Sequence, residues 1–205
     1  VKILNLYAGI GGNRKMWGDD HEITMVENNQ KIVDIYHDFF PNDTIIVADA
    51  HDYLLEHFEE FDFIWSSPPC PSHSDVRQKT TNIFKEGGHE PLFPDMKLYE
   101  EIIFLQHHFK GNWCVENVIA YYEPLIKPTE MEKHWWWTNF HIRHFTTTKS
   151  RAHDGTIEEL QKRKGFDLSE YKGIDKRTLL RNCVEPEIGK HILDCAINDS
   201  QEQLF

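Results

Sequence analysis

Cys70 stands in Trp65-Ser66-Ser67-Pro68-Pro69-Cys70-Pro71-Ser72-His73-Ser74, where three prolines fix the backbone around one thiol. The turn follows an apolar run, Phe61-Asp62-Phe63-Ile64-Trp65, that reads as a buried strand. A thiol aimed by a stiff turn is a candidate nucleophile. The plain alternative is a proline-rich loop with an incidental cysteine. A carboxylate waits at a comparable place. Glu116, in Glu116-Asn117-Val118, ends the apolar stretch Asn112-Trp113-Cys114-Val115, which reads as another strand. Thiol and carboxylate therefore stand at one sheet edge, where open α/β sheets bind ligands.

The elements that must position these groups read as an α/β chain. Residues 2–7 form a short apolar strand running into Ala8-Gly9-Ile10-Gly11-Gly12, where glycines let the backbone turn sharply beside a ligand. Asn13-Arg14-Lys15-Met16-Trp17 is then predicted to open a helix. A second strand, 23–26, ends on Glu27, where Rossmann-like folds hydrogen-bond ribose hydroxyls. After an amphipathic stretch over 32–40, a third strand, 44–47, leads to Asp49. A cap of the next helix is the plainer alternative for Asp49.

Residues 75–94 lack periodicity and follow Cys70, so a lid is expected there. Asp95 is expected to cap a helix with Met96, Tyr99, Ile102, Ile103 and Phe109 on its buried face. His107 and His108 near its end suit the helix dipole, and no third metal ligand accompanies them. Trp135-Trp136-Trp137 lie in a β-rich stretch and read as core. The segment 143–181 reads as irregular, and Pro186 starts a last helix with Ile188, Ile192, Leu193, Ala196 and Ile197 on its apolar face.

A chain of 205 residues supports one full-sized core. Its net charge of −12 argues against a general polyanion binder, but the charge is uneven. Between Arg143 and Arg181 ten Lys/Arg face six Asp/Glu. A localised nucleic-acid contact is compatible with that excess, as is ordinary fluctuation of surface charge. The four cysteines show no metal-type pairing and suggest no disulfide scaffold. With no apolar run approaching the ~20 residues of a membrane span and no signal peptide at its start, a cytoplasmic monomer without membrane or metal partners is the expectation.

Over nearly its whole length the chain resembles the DNA cytosine-5 methyltransferase family. Leu6-Tyr7-Ala8-Gly9-Ile10-Gly11-Gly12 is similar to its glycine-rich cofactor motif, with Tyr7 where phenylalanine is usual. The Cys70 stretch is similar to its nucleophile motif, Glu116-Asn117-Val118 to its Glu-Asn-Val motif, and Arg181-Asn182-Cys183-Val184-Glu185-Pro186 to its last motif.

The resemblance implies a Rossmann-like S-adenosylmethionine-dependent fold, a mostly parallel sheet with helices on both faces. It implies Cys70 as nucleophile and Glu116 as its acid–base partner on a flipped cytosine of double-stranded DNA. Cofactor contacts would come from Tyr7, Ala8, Gly9, Ile10, Gly11, Gly12, Glu27, Asn28, Asp49, Ala50, Pro69, Asn182, Cys183 and Val184. Nucleic acid would meet Ser74, Arg77, Lys133, Lys162, Arg163 and Lys164.

Three departures qualify it. The Gln-x-Arg-x-Arg motif of the family has no arginine counterpart in Glu130-Met131-Glu132-Lys133-His134. Arg181 and Glu185 replace a glycine and a proline of the last motif. The room for a target-recognition domain is small, as in compact members of the kind often found in phages. The expected organisation is a catalytic domain at 1–142, a reduced basic recognition segment at 143–181, and the last motif and helix at 182–205. An RNA cytosine-5 methyltransferase and a catalytically impaired regulator that binds nucleic acid are the competing readings.

Overall fold

Strand β1 (Lys2–Leu6) buries Ile3 on one face and Leu4 and Leu6 on the other, the pattern of a central strand covered by helices on both sides. The computed structural model describes residues 1–75, 92–147 and 155–202, without the side chains of 199–202. Strands β2 (Glu22–Glu27), β3 (Thr44–Val47), β4 (Phe63–Ser66) and β5 (Asn112–Val118) run parallel to β1. They join the hairpin of β6 (Thr129–Met131) and β7 (His134–Thr138) in one sheet of order β3-β2-β1-β4-β5-β7-β6. Only β7 runs against the parallel strands, so its first residue, His134, sits beside Val118 at the carboxyl end of β5. Strand order reverses between β1 and β4, and the crevice beyond that switch point is where open α/β sheets hold ligands.

Helices α1 (Gln30–Phe39), α2 (Ala50–His57), α3 (Lys97–His108) and α6 (Pro186–Glu202) cover the sheet. Leu54 of α2 and Leu98, Ile102 and Leu105 of α3 pack on Leu4, Leu6, Ile64 and Val115. On the opposite face Ile188, Ile192 and Leu193 of α6 pack on Ile3, Trp65 and Trp136. All three tryptophans of β7 are buried, Trp136 to this face and Trp135 and Trp137 to the other.

Three expectations change. The helix expected from Asn13 is a single 3-10 turn, Arg14–Met16, which stops at Gly18 in the left-handed region (φ +79°). Helix α6 takes its place against the sheet, and Trp17 donates its indole N–H to the Gly189 carbonyl at 3.0 Å. On α3, Met96 and Ile103 face solvent while Leu98, Leu105 and the carboxylate Glu101 are buried. Nor is Asp95 the cap: the N-cap position is Met96, which makes no side-chain cap bond, and Asp95 one residue earlier accepts the Lys97 amide at 3.1 Å.

The segment 143–181 is not irregular where it is described. It holds α4 (Ile157–Lys164), closed by a Thr156–Glu159 capping box and the left-handed Gly165, and α5 (Lys176–Asn182), capped by Asp175. Leu160, Phe166, Leu168 and Leu180 pack against Val33, Tyr36 and Phe40 of the α1 side. The 75–94 stretch expected as a lid lies almost wholly outside the described residues. Among the described residues no helix is long and apolar enough to cross a membrane.

Candidate active site

The Cys70 turn is held by its neighbours. After β4 ends, Trp65 donates its indole N–H to Ser67 Oγ at 2.8 Å, and Asn117 of β5 donates its amide to the Pro68 carbonyl at 3.0 Å. The Cys70 carbonyl then accepts the amides of His73 and Ser74, both at 3.0 Å. Beyond the turn, Ser74 bridges to Ala120, Tyr121 donates its amide to the His73 carbonyl, and His73 Nδ1 lies 2.5 Å from the Tyr122 hydroxyl. The chain leaving β5 therefore clamps the chain leaving β4. Of the four cysteines only Cys70 is not buried. Burial first, and the charge of Glu116 second, push its thiol above the ordinary value, so sulfur keeps its proton at rest. Glu116 is 8 % exposed, paired with Trp136 in the β5–β7 ladder, and its side chain hydrogen-bonds to none of the described residues.

On the other side of the switch point the glycine loop bends through left-handed residues, Tyr7 (φ +53°), Gly9 (+54°) and Gly11 (+85°). Glu27 ties the loop down, accepting the Gly9 amide at 3.3 Å and the Asn29 amide at 3.0 Å, one on each oxygen. A Cβ on Gly9 would meet nothing within 4 Å, whereas one on Gly12 would sit 2.7 Å from the Val184 carbonyl and 2.8 Å from Cys183 Cβ. The loop is thus open at Gly9 and closed by the last motif at Gly12. A nucleoside with a diol fits this setting, because each oxygen of Glu27 has a lone pair left beside the open backbone. Asp49 caps α2, accepting the His51 and Asp52 amides on Oδ1 alone, and is exposed. It is a cap that still presents an oxygen to solvent.

Other expected cofactor residues divide into backbone and side-chain groups. Ala8, Ile10 and Ala50 point into the core, so they can offer only backbone. Asn28, Pro69 and Asn182 are exposed, and Val184 is half-buried. Cys183 is buried, with its thiol pushed up to about 12 by that burial.

The expected nucleic-acid residues scatter. Ser74 is half-buried in its bridge, Arg77 lies outside the described residues, and Lys133 is exposed in the β6–β7 turn at φ +65°. Of the three cations on α4, only Lys162 faces solvent. Lys164 is 3 % exposed, donating to the Cys183 carbonyl at 2.5 Å and pairing with Glu185 at 2.8 Å. Arg163 also pairs with Glu185, at 3.2 Å. Lys164 and Arg163 are therefore corrected from surface contacts to a clasp that holds the last motif against Gly12. Glu185, the departure from the family's proline, is the acid that clasp needs.

Sequence reasoning missed Glu101, whose place between Leu98 and Leu105 on the buried face of α3 was the readable signal. It also missed the Lys164–Glu185 pair, which no spacing in the chain announces. Among the described residues no group of three or more His, Cys, Asp or Glu side chains could hold a metal ion.

Residues 1–100 match the family described as C-5 cytosine-specific DNA methylase. No curated protein matches the chain. The methyltransferase EhMeth of Entamoeba histolytica is similar over 98% of this chain and 98% of its own, at 12% identity and a TM-score of 0.59, a likeness of fold. DNMT2 of Spodoptera frugiperda is 24% identical over 57% of this chain, with a TM-score of 0.38, and this chain spans 35% of its length. The chain thus has a Rossmann-like methyltransferase fold, and residues 1–100 of its 205 carry the match to C-5 cytosine-specific DNA methylase.

Proposed function

We propose that the chain methylates carbon 5 of a cytosine flipped out of double-stranded DNA, through a covalent bond between Cys70 and carbon 6. One observation carries the reading: a turn-held thiol faces the field of Glu116, whose side chain has no hydrogen-bond partner among the described residues. A cytosine supplies what Glu116 lacks, an exocyclic amine to donate and a ring nitrogen to share a proton. In the addition the S–H bond breaks and the S–C6 bond forms. The C5–C6 π pair shifts to C4–C5, and the C4–N3 π pair moves onto N3. Glu116 delivers a proton there and takes up the equivalent of the one sulfur lost.

Carbon 5 becomes an enamine nucleophile, and S-adenosylmethionine, when bound, would supply the methyl group. Loss of the carbon 5 proton to solvent water then expels Cys70 and reforms the C5–C6 double bond, while the N3 proton passes through Glu116 back to the departing sulfur. Tyr7, the Gly9 backbone, Glu27 and Asp49 are the residues to hold the cofactor, with Asn182 and Val184 closing the site. Flipping the base requires roughly a few kcal/mol. Lys133 and Lys162 are the exposed cations offered to phosphate, and the 143–181 segment serves as a reduced recognition element through Lys162 rather than through all three α4 cations.

The test is labelled S-adenosylmethionine with DNA and RNA supplied separately. Label entering DNA, and absent with Cys70→Ala, supports the proposal. Label entering RNA alone assigns the RNA reading, and cofactor binding without transfer to either assigns the regulator.

A further inference from the structure

Glu101 is 0 % exposed in the middle of α3, where an amphipathic helix ordinarily places a leucine. Three donors from three segments reach it. The Tyr7 hydroxyl donates to Oε1 at 2.6 Å, the Ser66 hydroxyl donates to Oε2 at 2.6 Å, and His51 Nδ1 lies 3.1 Å from Oε1. A buried carboxylate is tolerated only when its oxygens are satisfied, and a fully satisfied buried network is rigid. Each donor borders the candidate site. Tyr7 follows β1 in the glycine loop, Ser66 ends β4 four residues before Cys70, and His51 lies in the first turn of α2, where its amide is capped by Asp49.

Tyr7 adds an independent sign. It is a non-glycine residue in the left-handed region, a conformation that needs support from its surroundings. Its phenol, which replaces the family's usual phenylalanine, ends on Glu101. The side chain that would face the cofactor is anchored at its far end to the carboxylate that also anchors β4.

We propose that Glu101 is a positioning residue that couples the cofactor loop to the nucleophile turn, so that the seating of Tyr7 and the aim of Cys70 are set together. The idea rests on the proposed function for what the site does, but its test does not require turnover. In cofactor-free protein, the rate at which iodoacetamide alkylates Cys70, read by mass spectrometry of its peptide, reports the turn directly. Tyr7→Phe deletes only the phenol oxygen, at a loop that is not part of the turn. It is expected to change that rate by about fivefold or more, and Ser66→Ala likewise. In a Glu101→Gln background both changes shrink. Coupling is reciprocal, so Ser66→Ala also weakens S-adenosylhomocysteine binding measured by calorimetry.

Should Glu101→Gln fail to fold, the Tyr7→Phe/Ser66→Ala double variant carries the test, with a combined effect clearly smaller than the product of the two. A Cys70 rate unmoved by Tyr7→Phe while Ser66→Ala changes it would overturn the coupling, as would fully multiplicative effects. Wild-type protein that binds neither S-adenosylmethionine nor S-adenosylhomocysteine would sink the proposed function, and the alkylation series would still decide the role of Glu101.

Discussion

Two buried carboxylates in this molecule are treated in opposite ways. Glu101 on α3 is fully enclosed and receives three donors from β4, α2 and the glycine loop. Glu116 on β5 is 8 % exposed and receives none from the described residues. The fold itself completes the first, and the proposed reaction would bring a ligand to the second. The contrast separates architecture from chemistry without reference to any relative. Each half of it can be broken separately.

The largest effect belongs to the nucleophile. Cys70→Ala is expected to lower methyl transfer by at least about a thousandfold while leaving cofactor binding in place. Glu116→Gln should slow transfer by about 10²–10⁴-fold, through lost proton transfer at N3. The same substitution removes a charge that raises the Cys70 thiol, so Cys70 alkylation near neutral pH should become faster as catalysis is lost. A thiol no more reactive in that variant would remove Glu116 from its surroundings.

Glu101→Ala should act mainly on stability, by about 3–5 kcal/mol, because it strands buried donors. Chemical denaturation measures it. The partner His51 gives this region a pH signature. Its hydrogen bond to Glu101 holds the folded imidazole above the ordinary value of 6.5. The resulting stabilisation is full below that value and is lost as pH rises through the raised folded one. Unfolding followed from acid to mildly alkaline pH should show this decline, and Glu101→Gln should flatten it.

The smallest effect concerns DNA contact. Lys162→Glu should weaken DNA binding severalfold and reduce its salt slope by about one. Lys164→Met should instead lower stability and cofactor affinity with that slope unchanged, since Lys164 serves the clasp on Cys183 and Glu185.

Much of this was legible in the chain. Apolar β-branched runs ending on Glu27, Asp49 and the Pro-Cys turn announced a parallel sheet with chemistry along one edge, because each strand's own residues carry its period and its stop. The capping box at Thr156 and Glu159 was also readable, and it marks a helix where irregular chain was expected. Local signals failed where distant contacts decide. The helix after Gly12 is replaced by α6, from the far end of the chain, whose Gly189 lies against Asn13. Lys164 reads as one of three like charges in a row until Glu185 reaches it. Glu101 reads as one of two adjacent acids, and only the fold shows that Glu100 is exposed while Glu101 is buried.

The most direct measurement is trapping of the covalent step. A duplex carrying 5-fluorocytosine is incubated with the protein and S-adenosylmethionine, because fluorine at carbon 5 cannot depart as a proton does. The account predicts a stable protein–DNA adduct whose linkage maps to Cys70 and disappears in Cys70→Ala. Methyl transfer to unmodified DNA that survives in Cys70→Ala, with no adduct from the fluorinated duplex, would contradict it.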